Sequence, residues 1–285
     1  MKIDLHIHTS TGSDGNLPVE EVFQEASKRN ISLMSVTDHD SIKAQESAVA
    51  LAEEYGIAYI PGVELNVTFR LPDGKTASLD FLGYRYDINN QALINQLRIM
   101  AEHRQSRAEQ IIENLNAEFE KDNIPKFTWE DLKKIQETVD GVFGRPHIAN
   151  YLIEKRIVRS KQEAFDRYLV SCDMPKYPLS LEAASELIRK AGGILVHAHP
   201  NDPNGTSLAR LTPDLNEQTG IIEEHMLEYI DGIECWHSRN DVQTTAHYIE
   251  FARKHGLIMT GGSDCHQKPI IIGTVDIPDF VAGQF

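Results

Sequence analysis

An α/β fold, arranged as one barrel-like unit with a helical insertion, is what this chain of 285 residues predicts. Three observations lead there. Short apolar runs of strand length alternate with amphipathic segments of helix length, the rhythm of a largely parallel sheet with crossover helices. Histidines and carboxylates stand just past the ends of those runs, where parallel α/β folds gather their chemistry. A hydrophobic content of 41% over this length is enough for a full core.

Lys2–Leu5 is the first strand run, and it leads into His6-Ile7-His8. In extended chain, residues i and i+2 point the same way, so these two rings can reach one ion without a bend. A loop with Gly12, Asp14 and Gly15 leads to Pro18 at the first helical position, and an amphipathic helix runs to Arg29. Ile31–Thr37 is the second strand, followed by Asp38-His39-Asp40-Ser41 and a helix to about Tyr55. Ile57–Phe69 and Ala77–Tyr86, joined across Pro72-Asp73-Gly74, predict a β-hairpin carrying Glu64 and Asp80. From Asn89 to Leu179 the periodicity is helical, with helices expected at Gln91–Glu120, Thr128–Thr138, Pro146–Lys155 and Lys161–Leu169. Strands and helices resume with Leu181–Ala191, Gly193–His197, a helical run after Leu208, Gly232–Trp236, Val242–His255 and Leu257–Thr260. The turn-rich Asn201–Ser207 directly follows His199-Pro200 and would line a site there. The expected division is a barrel of residues 1–88 and 180–285 with an inserted helical subdomain of 89–179.

Asp14, His39, Glu64, His199, Asp264 and His266 join His6 and His8 as a ligand set for divalent metal. One histidine alone reads more readily as a packing residue, but the set does not. Mixed nitrogen and oxygen donors suit manganese, iron or zinc. Cys265 would point away from both Asp264 and His266 on an alternating segment. The three cysteines, Cys172, Cys235 and Cys265, are odd in number and lack CxxC spacing, which argues against a disulfide framework. No run approaches the length of a membrane span and the N-terminus enters a strand at once, so a cytoplasmic location is expected. The formal charge of −15 disfavours broad binding to duplex nucleic acid, yet a small phosphorylated substrate or a single-stranded end could be held by local arginines and metals.

His6-Ile-His8-Thr-Ser with Asp14-Gly15, Thr37-Asp38-His39-Asp40, Gly62-Val63-Glu64, His199-Pro200 and Gly262-Ser263-Asp264-Cys265-His266 resemble the motifs of the polymerase and histidinol phosphatase (PHP) family, over nearly the whole chain. The insertion, with Gly144-Arg145-Pro146-His147 and the His103/Arg104/Arg107 run, resembles the family's nucleotide phosphoesterase branch, whose members act on 3′,5′-nucleoside bisphosphates or 5′-phosphorylated RNA ends. The resemblance implies a distorted (β/α)7 TIM-like barrel with two or three divalent ions at the C-terminal strand ends: manganese first, with zinc, iron or magnesium as alternatives. It assigns His6, His8, Glu64 and Asp264 to one ion, Glu64, His199 and a hairpin residue to a second, and Asp14, His39 and His266 to a third. The branch usually has a histidine where this chain has Asp80; an oxygen donor there would favour a harder ion or leave a weak site.

Two cations close together bind a shared water, lower its pKa and hold the resulting hydroxide in line with phosphorus. The expected reaction is therefore hydrolysis of a phosphate monoester, on a 3′,5′-nucleoside bisphosphate or a 5′-phosphorylated oligoribonucleotide. Hydrolysis of a cyclic phosphodiester or sugar phosphate is the alternative, with an amidohydrolase or a non-catalytic metal-binding module behind it. Glu64, His199, Arg145 and His237 form the expected catalytic set. Arg145 would clamp a second phosphate bidentately, against the reading of a helix-start surface arginine. Arg104 and Arg107, three apart on one helix face, would join it or would simply be solvated. His147 and His237 would protonate the leaving oxygen or contact substrate, or serve as structural polar groups. His197, Asp38 and Asp40 are candidates to orient ligands, and Trp236 to stack on a base or pack against a strand.

Overall fold

Strand sequences that are buried on both faces build two sheets that share one centre. In the computed structural model, which describes residues 1–71, 74, 76–137, 145–203 and 205–285, β1 (Ile3–Ile7), β2 (Leu33–Val36) and β3 (Ala58–Tyr59) pair in parallel in that order. Helices α1 (Val19–Lys28) and α2 (Gln45–Tyr55) connect them. Pro72, Asp73, Thr138, Gly144 and Asn204, which figure in the sequence reading of the hairpin turn, a helix end, the Gly-Arg-Pro-His run and the turn-rich loop, lie outside the described residues.

The second sheet runs β4 (Gly62–Arg70), β5 (Thr76–Tyr84), β6 (Ile194–His197), β7 (Gly232–His237) and β8 (Ile258–Gly262). β4 and β5 form the expected antiparallel hairpin, whereas β6, β7 and β8 are parallel. The single strand expected over Ile57–Phe69 is in fact two. Pro61 has no N–H to give to a ladder, so Ala58–Tyr59 stay with β2 and pairing with β5 begins at Gly62. The sheets meet through main-chain bonds: the Asp264 amide donates to His6 O at 2.8 Å, and the Asp40 amide donates to Glu64 O at 2.7 Å. Gly262 permits the first seam, because a Cβ there would lie 2.4 Å from the His6 nitrogen.

The insertion contains α3 (Gln91–Lys121), α4 (Trp129–Glu137), α5 (Arg145–Glu154) and α6 (Lys161–Ala164), which runs into a π-helical turn, Phe165–Leu169. The sequence pattern anticipated one continuous α-helix over Lys161–Leu169. Asn90 starts α3 by accepting the Leu93 amide at 3.1 Å. The helix serves two cores. Leu93, Leu97 and Met100 pack against the sheets, while Ala108, Ile111, Leu115 and Phe119 pack with Leu132, Ile148, Leu152 and Tyr168. The second core therefore starts about two turns beyond Met100, inside the expected boundary at residue 89. Helices α7 (Leu181–Lys190), α8 (Leu215–His225) and α9 (Val242–His255) complete the fold. Among the described residues no helix is long and apolar enough to cross a membrane.

Candidate functional site

β1 alternates Ile3, Leu5 and Ile7 with Asp4 and His6, and its polar face continues into His8. The two rings meet with their Nε2 atoms 3.1 Å apart. Glu64, near the start of β4, brings Oε2 within 3.4 Å of His6 Nε2, 3.2 Å of His8 Nε2 and 2.9 Å of His39 Nδ1, and its Oε1 lies 2.9 Å from His199 Nε2. Asp264, just past β8, places Oδ1 3.4 Å from His6 Nε2, 3.3 Å from His8 Nε2 and 3.4 Å from His266 Nδ1. Asp14 Oδ1 is buried without a hydrogen bond, 3.8 Å from His39 Nε2 and 3.6 Å from His266 Nε2. Three overlapping groups of ligand atoms result: His6, His8 and Asp264; His6, Glu64 and His199; and His8, Asp14, His39 and His266. Several ring nitrogens directed at one carboxylate oxygen, with an orphaned oxygen nearby, is a donor set that fits divalent cations. Among the described residues Asp80 belongs to none of these groups.

The electrostatics agree with that fit. His39 is raised to about 10 and His199 to about 9, because Glu64 and other carboxylates outweigh the burial that disfavours their charge. Burial would push Asp14 up, but His39 and His266 bring it to about 2. Glu64 and Asp264 lie well below the usual carboxylate range for the same reason. His266 is pushed down to about 4 by burial and by His8 beside it, which leaves a neutral ring with a lone pair to give. Backbone strain marks the centre as well: His199 and Asp264 hold φ of +23° and +54°.

Around the ligands lies a supporting layer. Glu234 on β7 is fully buried, with Oε1 3.0 Å from His6 Nδ1 and Oε2 accepting the His199 amide at 2.8 Å. Sequence reasoning missed it, although a lone carboxylate in the apolar run Gly232–Trp236 was a usable signal. Asp38 accepts the Thr9 amide at 2.7 Å and the Ser13 hydroxyl at 2.8 Å, and that hydroxyl stands 3.5 Å from His8 Nδ1. Asp40 holds Arg104 and accepts the Asn66 amide at 2.9 Å. His197 orients no ligand: its ring stacks on Phe81, 4.8 Å between centroids, neither nitrogen has a hydrogen-bond partner among the described residues, and burial and His199 push it down to about 3. Trp236 is also in the core, packed edge-on against Phe280. Cys265 is buried outside the ligand groups.

A cavity of about 800 Å³ opens onto this centre. His39, Asp14, His199, Asp264 and His266 reach its wall, and so do Arg104, Arg107, Arg145 and His147 from the insertion. The sequence-predicted cations thus share one cavity, though each already has partners. Asp173 holds Arg107 and Arg145, the latter at 2.6 Å, and Arg107 also donates to Met174 O at 2.5 Å. His237 departs from the expectation of substrate contact: it is buried behind Asp264, with Nε2 3.4 Å from Asp264 Oδ2, and is not among the described residues that line the cavity. Asp80 lines the cavity with Oδ1 accepting from Asn66 Nδ2 at 2.5 Å, and burial and Glu64 raise its pKa. Lys176, Arg210 and Arg239 are lining cations that the sequence reading did not name; Arg239 pairs with Asp202 and lies 3.3 Å from Asp264 Oδ2. Asp202, Gly205 and Thr206 bear out the expectation that the loop after Pro200 lines the site.

The PHP domain model matches residues 4–172. The 5′-3′ exoribonuclease Rnm of Salmonella typhimurium is 30% identical over 271 residues, covering 93% of this chain and 85% of that protein. The 3′,5′-nucleoside bisphosphate phosphatase of Chromobacterium violaceum is 30% identical over 275 residues, covering 93% and 87%. A solved structure from Bifidobacterium adolescentis, assigned provisionally as a metal-dependent phosphoesterase, superposes with a TM-score of 0.80 at 27% identity, covering 99% of this chain and 94% of that one.

Proposed function

This chain belongs to the PHP domain family, and we propose that it is a metal-dependent phosphoesterase that hydrolyses a phosphate monoester of a 3′,5′-nucleoside bisphosphate or of a 5′-phosphorylated oligoribonucleotide. The observation that carries the reading is the pairing, within one cavity, of a histidine and carboxylate cluster with a set of arginines on the insertion. A substrate with negative charge both at the bond to be broken and some distance from it matches that division.

His6, His8 and Asp264, with Glu64 Oε2 in reach, would hold one cation, His6, Glu64 and His199 would take part in a second site, and His8, Asp14, His39 and His266 in a third. Such ions supply an activated water and neutralise the phosphoryl oxygens. Glu234 fixes the ring of His6 and the main chain of His199, so the ligands are set before substrate arrives. Arg145, anchored by Asp173, binds the phosphate that is not cleaved. Protonation of the leaving oxygen falls to His147, which lines the cavity, in preference to the buried His237. His237 instead steadies Asp264.

The test incubates manganese-loaded protein with adenosine 3′,5′-bisphosphate, a 5′-phosphorylated oligoribonucleotide and a cyclic phosphodiester, and reads inorganic phosphate from the first two and the ring-opened monoester from the third by chromatography. Turnover of the first or second supports the reading. Turnover confined to the cyclic ester would replace it with a phosphodiesterase on the same ligands.

A further inference from the structure

Most residues that line the cavity are charged or polar, and Phe165 and Val170 of the π-helical turn join Ala77, Pro146 and Leu211 as its apolar members. The geometry points to Phe165 and Val170 as a platform for the nucleobase of the substrate. This inference rests on the phosphoesterase reading and assigns residues to the base of its nucleotide substrate, which that reading left without a partner.

Among the described residues that line the cavity, Phe165 is the only phenylalanine, tyrosine or tryptophan. Val170 lines the same cavity and is 64% exposed. The helix type brings the two together. Residues five apart in an α-helix are turned about 140° from each other, whereas an i to i+5 turn stacks one nearly over the other. That turn is closed by the Val170 amide donating to Phe165 O at 3.1 Å. It also leaves the Leu169 carbonyl to accept Arg145 Nη1 at 3.3 Å, and the Arg145 guanidinium stands 5.4 Å from the centre of the Phe165 ring. One distorted turn therefore places the Arg145 guanidinium over one face of the Phe165 ring, so a base would lie against the part of the ring that lines the cavity. A nucleotide presents those two features side by side, a flat apolar base and a phosphate on the same sugar. A sugar phosphate has nothing flat to place on the ring, which would stay wet. Stacking on an aromatic side chain accepts any base, so the platform selects nucleotides as a class.

Calorimetry on the full-length, manganese-loaded protein tests this with adenosine 5′-monophosphate and 1,4-anhydroribitol 5-phosphate, which lacks the base. The nucleotide should bind more tightly. Phe165→Leu should weaken nucleotide binding about 5- to 100-fold and leave the abasic ligand within about twofold. Phe165→Tyr should restore the preference. Val170→Ser, at an exposed position that cannot disturb the core, should weaken the nucleotide alone by a smaller factor. Equal binding of the two ligands, or equal losses on both in Phe165→Leu, would overturn the platform. Phosphate release from adenosine 3′,5′-bisphosphate and from its abasic counterpart separates the two readings. Nucleotide-selective binding without turnover of the bisphosphate, the oligoribonucleotide or the cyclic ester would keep the platform and sink the phosphoesterase, and equally fast release from the bisphosphate and its abasic counterpart would do the reverse.

Discussion

Glu234 holds His6 through a 3.0 Å contact between Oε1 and Nδ1, and it does so from full burial in β7. The contact keeps a proton on Nδ1 and turns Nε2 toward His8; burial opposes charge on the ring, but Glu234, Glu64 and Asp264 raise His6 well above its ordinary value, so Nε2 gives up a proton when it coordinates. The same carboxylate accepts the His199 amide, so one side chain orients ligands from two strands.

Glu234→Gln keeps the shape and removes the charge. Loss of such a supporting partner lowers metal affinity by roughly 10- to 100-fold. Manganese titration against a competing chelator should show that loss while the far-ultraviolet circular dichroism stays native. Unchanged affinity would mean that Glu234 only packs.

Metal binding should strengthen as pH rises. His39, raised to about 10, and His199, raised to about 9, are protonated in the metal-free protein at neutral pH and must give up those protons to coordinate. Their raised values also set the trend of the metal-free fold. The stability they contribute is complete below the unfolded value near 6.5 and is lost as pH climbs through 9 and 10. The rise in Tm caused by manganese should therefore be larger at pH 9 than at pH 6, and a rise that shrinks with pH would contradict this.

Asp80 lies on the cavity wall near Glu64 and His199 but outside the ligand groups. Asp80→His would add a nitrogen donor at that wall and should move metal preference toward borderline ions such as zinc. Metal analysis after growth with equimolar manganese and zinc measures the shift; an unchanged profile would place Asp80 outside coordination.

Arg145→Ala removes a charge-assisted contact worth about 1.5–3 kcal/mol, so kcat/KM for adenosine 3′,5′-bisphosphate should fall roughly 10- to 100-fold. An aryl monophosphate, with no second phosphate to bind, should lose far less. Equal losses on both would assign Arg145 to the reacting phosphate or to the fold.

The candidate ligand residues that the structure brings together were legible in sequence because local geometry governs them. His6 and His8 share a face through the period of a strand, and His39, His199, Asp264 and His266 follow apolar runs whose ends the two sheets bring together. Glu64 was legible as the carboxylate of a hairpin strand, and that hairpin formed as its alternation suggested. The split at Pro61 was also written in the chain, since a residue without an N–H interrupts a ladder. What tertiary structure alone decided is how partners far apart in sequence share out their hydrogen bonds. Glu234 meets His6 across 228 residues, Arg104 meets Asp40 across 64, and Arg107 and Arg145 converge on Asp173. No local period encodes such pairings; they follow from which strand ends and helix faces the packed core brings within reach. The same holds for His197, His237 and Trp236, whose types invite chemistry but whose surroundings bury them. A residue's identity sets the chemistry available to it, and the neighbours that the fold packs against it decide which part of that chemistry can meet a ligand.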